Sequence, residues 1–342
     1  MPRIFDLHSV HRQLKARVSH ASGLGFEGDR DQPQVTVRSF MGFTMRGPVG
    51  WGPVYTEYMT PALHMAGYEP LQTFMTLVAT EEGGTFLDIG ANQGYFSLLA
   101  AANARRELSV HAFEPVDYYH SMLAANVAAN NLDAAITTHQ VALGAKEAKQ
   151  PLYIHGPASS LIAEWLPLRS GKQPSGGVAD VRVARLDDML DPDSVPHPIA
   201  IKLDVEGYER DVISGGARWF RHPQTTCILL EVSHREVRQR SGDVLAALRA
   251  WGFDCYGLAF VRRTDGPVRE DPDLIPLDRA QELGRDQWPD EWLCVRRGHP
   301  YASGLLEAFA LYPLFMATRM LAGDRLTAFA DELVEGAPPG DR

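Results

Sequence analysis

The run TFLDIGANQGYFS at Thr85–Ser97 constrains the fold of this chain more than any other stretch. Apolar residues surround Asp88 and the apolar run stops at Gly90, which predicts a short buried strand. The residues up to Gly94 predict a tight turn, after which YFSLLAAANARR resumes with helical spacing. Glycine lets backbone amides approach a ligand closely and adopts conformations closed to other residues. We therefore expect a nucleotide-like ligand at this turn.

The spacing of the glycines indicates which nucleotide to expect. Dinucleotide-binding turns carry G-x-G-x-x-G, whereas the spacing here is G-x-x-x-G, with Asp88 two residues before Gly90. Roughly twenty residues further on, the strand VHAF leads into Glu114, where an acid is placed to accept hydrogen bonds from ribose hydroxyls. This arrangement is similar to the S-adenosylmethionine site of a Rossmann-like methyltransferase.

Further motifs follow the glycine turn in a fixed order. They are FEPV at Phe113–Val116, NVAANNL at Asn126–Leu132, VALG at Val141–Gly144, LDDML at Leu186–Leu190, IKLDVEGYERDVISGG at Ile201–Gly216 and LLEV at Leu229–Val232. Together they resemble the FkbM family of S-adenosylmethionine-dependent methyltransferases, from about Thr85 to Val232. The resemblance implies an O-methyltransferase that acts on hydroxyls of sugars, polyketides and related secondary metabolites.

Beyond the turn, predicted strands and helices alternate, which indicates an α/β fold with a mainly parallel sheet and helices on both faces. With the resemblance, this is the Rossmann-like, class I methyltransferase fold. We assign residues 60–300 to that domain, residues 1–59 to an N-terminal cap and residues 301–342 to a C-terminal helical extension. The end of the cap, rich in glycine and aromatic residues, is either a surface loop or a lid that faces the substrate.

Charge and composition limit the class of partner. A formal net charge of −10 without a basic stripe argues against nucleic-acid binding. The three cysteines are far apart and form neither a disulfide framework nor a zinc signature. The chain opens without a signal core, and no run approaches the ~20 apolar residues that span a bilayer. We expect a cytoplasmic protein without a transmembrane segment, acting on a small hydroxylated molecule; a homo-oligomer is compatible with the sequence.

Several residues are candidates for binding the cofactor. Glu114 is the leading candidate, by its position and by the resemblance. Asp88 either contacts the amino group of the cofactor or holds the glycine turn in place. Asn92 fits a cofactor contact and equally a side chain that stabilises the turn. The full set of cofactor-binding candidates is Asp88, Gly90, Asn92, Gly94, Glu114 and Asp204.

The motif KLDVEG carries two more acids, Asp204 and Glu206, which strand alternation would place on one face. Three interpretations are open: the pair binds substrate hydroxyls, the pair ligates a divalent cation that polarises the acceptor oxygen, or Glu206 opens the next helix. Asp204 is also a catalytic candidate. Lys202 alternates with Asp204 and either offsets the carboxylate charge or faces away toward another partner.

His234 is the candidate general base, because the reference pKa of histidine lies near neutrality and suits the removal of a hydroxyl proton. The alternative is an exposed loop histidine, one of twelve in the chain. Glu231, at the end of the strand before it, is a candidate for binding the substrate.

The sequence thus predicts an S-adenosylmethionine-dependent O-methyltransferase of a sugar or secondary metabolite. An N- or carboxyl-methyltransferase with the same cofactor site is the nearest alternative. A nicotinamide-dependent oxidoreductase is disfavoured by the glycine spacing. A catalytically inactive cofactor-binding protein is disfavoured by the intact glycine turn and Glu114.

Overall fold

The computed structural model of the chain describes residues 26–27, 34–38, 42–48, 69–154, 159–163, 177–232, 244–263, 269–283 and 287–313. The strands are β1 Phe26–Glu27, β2 Gln34–Arg38, β3 Thr44–Pro48, β4 Gly84–Ile89, β5 Leu108–Phe113, β6 Ile136–His139, β7 Ala142–Leu143, β8 Ala148–Tyr153, β9 Val178–Ala184, β10 Ile199–Leu203, β11 Thr225–Glu231, β12 Phe253–Arg263, β13 Arg269–Pro276 and β14 Glu291–Arg296. The α-helices are α1 Pro70–Thr80, α2 Tyr95–Asn103, α3 Asp117–Ala129, α4 Leu186–Met189, α5 Glu209–Gly215, α6 Ala217–Arg221, α7 Val244–Ala250, α8 Leu277–Ala280 and α9 Pro300–Phe309.

A central sheet of eight strands organises the described chain, in the order β13-β12-β14-β11-β10-β4-β5-β6. The strands from β11 to β6 pair in parallel, whereas β14, β12 and β13 add an antiparallel end. The predicted α/β fold with a mainly parallel sheet is confirmed. A second, three-stranded sheet, β7-β9-β8, is formed by the insertion that follows β6.

The central strands are apolar throughout because both faces of the sheet are covered. All six residues of β4 and all five of β10 are buried, as expected for parallel strands between two helical layers. Alternate side chains enter different cores. Phe86 packs in a core with α1, α2, α3 and α9, and Leu87 packs in a core with α4 to α8.

Some predicted boundaries differ from the structure. Thr60–Thr80 predicts a helix that is broken near Pro70; helix α1 begins at Pro70, in its first position, and residues 60–68 lie outside the described chain. The run SGDVLAALRAWGFDCYGL predicts a helix followed by a turn; the structure has helix α7, a turn at residues 251–252 and then the long strand β12, whose two edges pair with β13 and β14.

The described parts of the additions at both ends pack on the sheet domain. Phe43 and Met45 of the N-terminal segment are buried in the core that contains α1 and α2. The backbone of Thr44 exchanges two hydrogen bonds of 2.7 Å with the side chain of Asn130. At the other end, Tyr312 packs edge-on against Phe74 of α1, with ring centroids 5.7 Å apart.

None of the helices described here is long and apolar enough to cross a membrane. The three cysteines are buried free thiols, in agreement with the prediction that they form no disulfide framework. Most of the predicted cap and residues 314–342 of the predicted extension lie outside the described residues.

Candidate active site

The glycine turn after β4 is shaped by close packing of protein on protein. Gly90 and Gly94 have φ angles of 86° and 91°, in the left-handed region that favours glycine. A Cβ added at Gly90 would lie 1.8 Å from the carbonyl oxygen of Asp204, and one at Gly94 would lie 2.5 Å from Cδ1 of Leu123. The glycines therefore allow the end of β10 and helix α3 to approach the turn, a reason that sequence spacing does not reveal.

A cleft opens at the carboxyl ends of β4, β5 and β10, where parallel sheets bind their ligands. Its wall is mostly apolar, with a few polar groups that converge on it. The lining residues used below are Asn92, Phe113, Glu114, Val116, Val141, Asp204 and Glu206.

Glu114 is the buried acid of this cleft. Its Oε2 accepts a hydrogen bond of 3.0 Å from the backbone N–H of Asn92, and its Oε1 accepts one of 2.8 Å from that of Val116. Burial raises the pKa of Glu114 to about 7, although both N–H donors act in the opposite direction. Each carboxylate oxygen has a second lone pair, so Glu114 fits a ligand that brings two hydroxyl donors, such as a ribose.

Asp88 lies behind the turn and is not among the described residues that line the cleft. Its Oδ2 accepts a hydrogen bond of 2.5 Å from Oγ of Ser97 in the first turn of α2. Burial raises the pKa of Asp88, against the lowering effect of Lys202 and Ser97. This position favours the interpretation in which Asp88 holds the turn, rather than the one in which it contacts the cofactor.

Asp204 and Glu206 both line the cleft, but not for the reason that the sequence suggested. Strand β10 ends at Leu203, and Glu206 has a left-handed φ of 54°, so strand alternation does not apply to the pair. Helix α5 begins at Glu209. The interpretation in which Glu206 opens this helix is therefore wrong.

The segment that carries these two acids is held by Glu209 and Ser160. The Oε1 atom of Glu209 accepts hydrogen bonds of 3.2 Å from Val205 N–H and 3.1 Å from Gly207 N–H. The hydroxyl of Ser160 donates to the carbonyl oxygen of Glu206 at 2.7 Å. The backbone on both sides of Glu206 is thus fixed by contacts.

A set of carboxylates stands at the strand ends beside the cleft. One carboxylate oxygen each of Glu69, Asp204 and Glu231 lies within 4.8 Å of the others. Glu291 of β14 is directly opposite Glu231 of β11 in the strand register, and burial and Glu69 raise its pKa to about 8. We call Glu69, Asp204, Glu231 and Glu291 the acidic cluster.

Sequence reasoning missed Glu69 and Glu291. Glu69 precedes the helix that crosses the sheet, and Glu291 opens a strand far along the chain, so neither belongs to a motif near KLDVEG. The only local signals are an acid directly before Pro70 and an acid at the start of an apolar strand. The described carboxylates that could share a cation with Asp204 are Glu69 and Glu231, not the predicted partner Glu206.

Lys202 brings a positive charge into the acidic cluster. Its Nζ lies 2.9 Å from Oδ2 of Asp204 and 4.5 Å above the centroid of the Phe96 ring. Burial alone would lower the pKa of Lys202, but Asp204, Glu69 and Asp88 raise it well above its ordinary value. The interpretation in which Lys202 offsets the charge of Asp204 is confirmed.

Two predicted features lie outside the described residues. His234, the candidate general base, falls in residues 233–243. The run RSGKQPSGG at Arg169–Gly177, whose glycine and serine content predicts a loop, is described only at Gly177.

Comparisons with known proteins show which family the chain resembles. Residues 88–255 match the family model described as the methyltransferase FkbM domain. A curated relative, the 31-O-demethyl-FK506 methyltransferase FkbM of Streptomyces tacrolimicus, is 28% identical over 203 residues, which cover 52% of this chain and 75% of the relative.

Solved structures of methyltransferases are also similar. The methyltransferase FkbM from Methylobacillus flagellatus KT is 16% identical, with a TM-score of 0.38, and the match covers 63% of this chain and 44% of that one. An S-adenosylmethionine-dependent O-methyltransferase from Thermotoga maritima is 9% identical, with a TM-score of 0.36, and the match covers 69% of this chain and 68% of that one. Residues 88–255 are thus a methyltransferase domain of the FkbM family.

Proposed function

We propose that this protein is an S-adenosylmethionine-dependent O-methyltransferase whose acceptor is a hydroxyl of a sugar or secondary metabolite. Membership of a methyltransferase family implies S-adenosylmethionine as the methyl donor. The curated relative named above has 31-O-demethyl-FK506 in its name as the acceptor, which supports a metabolite oxygen as the acceptor here.

The cleft residues fit this methyl donor. The Glu114 carboxylate would accept hydrogen bonds from the ribose hydroxyls through the lone pairs that Asn92 and Val116 leave free. The apolar wall at Phe113, Val116 and Val141 suits a flat adenine ring. Gly90 and Gly94 would act by shaping the turn.

The observation that carries the proposal is the position of Asp204, which lines the cleft and also belongs to the acidic cluster. S-adenosylmethionine supplies an electrophilic methyl group on a sulfonium sulfur. The protein must therefore align an acceptor oxygen and take its proton. We assign proton removal to Asp204 and the binding of neighbouring hydroxyls to Glu206 and Glu231. His234 remains the second candidate for the base.

The charge of the cluster favours a hydroxyl over the other acceptor groups. An acceptor carboxylate would be repelled by Glu69, Asp204 and Glu231, whose oxygens lie within 4.8 Å of each other. An amine would be held there as an ammonium ion, which has no lone pair for attack. A neutral hydroxyl donates a hydrogen bond to a carboxylate at no such cost.

The first test is a calorimetric titration with S-adenosylmethionine and, separately, with NAD, repeated on Glu114→Ala. We expect micromolar binding of S-adenosylmethionine, weakened at least tenfold by the loss of two charge-assisted hydrogen bonds (~1.5 kcal/mol or more). Binding of NAD instead would support the oxidoreductase alternative and overturn the proposal.

The second test is turnover. Protein and S-adenosylmethionine with a labelled methyl group are incubated with polyhydroxylated sugars and macrolides, and with matched amino and carboxyl analogues. We expect label in an ether O–CH₃ group only, and its loss in Asp204→Asn. Label on nitrogen or in a methyl ester would contradict O-methylation while leaving the cofactor assignment intact.

A further inference from the structure

We propose that Lys202 is the positioning residue of this methyl transfer. Its buried ammonium holds the Asp204 carboxylate at the boundary between the cleft and the acidic cluster. The ammonium thereby takes the role that a divalent cation would otherwise have. The inference rests on the proposed function, because that function gives Asp204 the proton of the acceptor. It adds that Lys202 orients Asp204 and that the reaction needs no metal ion.

The first argument is the place of Lys202 in the sheet. It lies on the central strand β10, directly opposite Asp88 of β4 and Leu229 of β11 in the strand register. It is 2% exposed, so water cannot hydrate the ammonium as it does at a surface. The contacts of the charge are instead the Asp204 oxygen at 2.9 Å and the face of the Phe96 ring at 4.5 Å.

The second argument is charge. The ammonium interacts electrostatically with Asp204, Glu69, Asp88 and Glu291. Glu69, Asp204 and Glu231 bring carboxylate oxygens within 4.8 Å of one another, and like charges at that separation repel each other. A buried cation among these carboxylates lowers their repulsion. Removal of one member of a buried ion pair is strongly destabilising.

The third argument separates positioning from catalysis. Lys202 is not among the described residues that line the cleft, whereas Asp204 is. Its effect on the reaction therefore passes through Asp204. A divalent cation shared by Glu69, Asp204 and Glu231 would have to share the Asp204 carboxylate with the Lys202 ammonium, and the two positive charges would repel each other.

The test begins with Lys202→Met, which keeps an unbranched apolar side chain and removes the charge. We expect kcat to fall about 100-fold, as for a misplaced catalytic group. The Kd for S-adenosylmethionine should stay within about threefold of the wild-type value, since Glu114 and its two hydrogen-bond donors are unchanged. Lys149→Met, which removes an exposed lysine paired with Asp180, is the matched control and should keep both values. Wild-type turnover should be unchanged after dialysis against EDTA.

Three results would overturn the inference: a folded Lys202→Met variant with nearly wild-type kcat, a parallel loss of S-adenosylmethionine affinity, or turnover lost on chelation and restored by Mg²⁺. If the variant is too unstable for kinetic assays, the unfolding temperatures of Lys202→Met, Asp204→Asn and the double variant are measured instead of kcat. We expect the double variant to unfold at a higher temperature than Lys202→Met, and additive shifts would reject the pairing. This cycle needs no acceptor, so its result is independent of whether wild-type protein methylates a hydroxyl.

Discussion

Gly90 and Asp204 touch backbone to backbone, because a Cβ on Gly90 would lie 1.8 Å from the carbonyl oxygen of Asp204. The N–H of Asp204 also donates a 3.0 Å hydrogen bond to the carbonyl oxygen of Ile89. The turn proposed to hold the methyl donor and the segment proposed to take the acceptor proton are therefore fixed against each other by main-chain contacts.

Gly90→Ala should disrupt both halves of the site. The methyl group cannot be accommodated without moving the end of β10, and the φ of 86° is unfavourable for alanine. We expect a loss of about 3 kcal/mol or more in the free energy of unfolding, together with loss of S-adenosylmethionine binding. Chemical denaturation and calorimetry measure the two effects.

Gly298→Ala is the matched control. Gly298 has a similar φ of 72°, and nothing lies within 4 Å of an added Cβ. Only the backbone cost of about 1 kcal/mol should appear, with cofactor binding unchanged. Equal losses in the free energy of unfolding of the two variants would show that the contact with Asp204 does not contribute to stability.

The affinity for S-adenosylmethionine should depend on pH through Glu114. Its pKa is raised to about 7 by burial, and ribose hydroxyls would bind the ionised carboxylate better than the neutral acid. Binding should therefore weaken as pH falls through about 7, and near that pH it should release protons. Calorimetry in buffers of different ionisation enthalpy, from about pH 6 to about pH 8, measures both effects.

Glu114→Gln supplies the control, because the titration of the ligand itself remains in this variant. We expect weaker binding and a flatter pH dependence than in the wild type. If the two proteins have the same pH dependence, the ribose contact is wrong.

Glu291 should make the folded state less stable at alkaline pH. Burial and Glu69 raise its pKa from 4.5 to about 8, so the folded state binds a proton more tightly than the unfolded state does. The resulting stability is fully present below about pH 4.5 and is lost as pH rises through about 8. Glu291→Gln stays neutral, so its stability relative to the wild type should increase as pH rises from about 4.5 and level off above about 8. Urea denaturation at several pH values, with the exposed Glu282→Gln as control, tests this.

Glu209→Ala should loosen the segment that carries Asp204 and Glu206. The substitution leaves the N–H groups of Val205 and Gly207 without their acceptor, at a cost of about 2 kcal/mol or more. We expect reduced stability and a lower kcat. Glu209→Gln keeps an acceptor oxygen and should lose less in both measurements; an equal loss would mean that the charge, and not the acceptor, matters.

The proposed site has two halves, one for the cofactor and one for the acceptor, and they differ in how far they could be predicted from the sequence. The cofactor half consists of elements that follow one another closely in the sequence: a strand, the glycine turn, and Glu114 at the end of the next strand. Such features have a spacing that can be seen in the sequence, and the structure places Glu114 and Asn92 together as hydrogen-bonded partners. The contact that makes Gly90 necessary is non-local, since Asp204 directly follows another strand, β10.

The acceptor half could be predicted only in part. Asp204, Glu206 and Glu231 were identified from motifs at strand ends, but strand alternation gave the wrong reason for pairing the first two. The burial of Lys202 and its ion pair with Asp204 depend on the layers above and below β10, which no local pattern encodes.

The sequence by itself determined the α/β fold, the resemblance to the family and the buried acid of the cleft, because periodicity and short motifs record local structure. Only the tertiary structure decided which carboxylates meet. Glu69 and Glu291 reach Asp204 and Glu231 because helix α1 crosses the sheet and β14 inserts next to β11. Such contacts follow from strand order and helix packing, which join residues far apart in the chain.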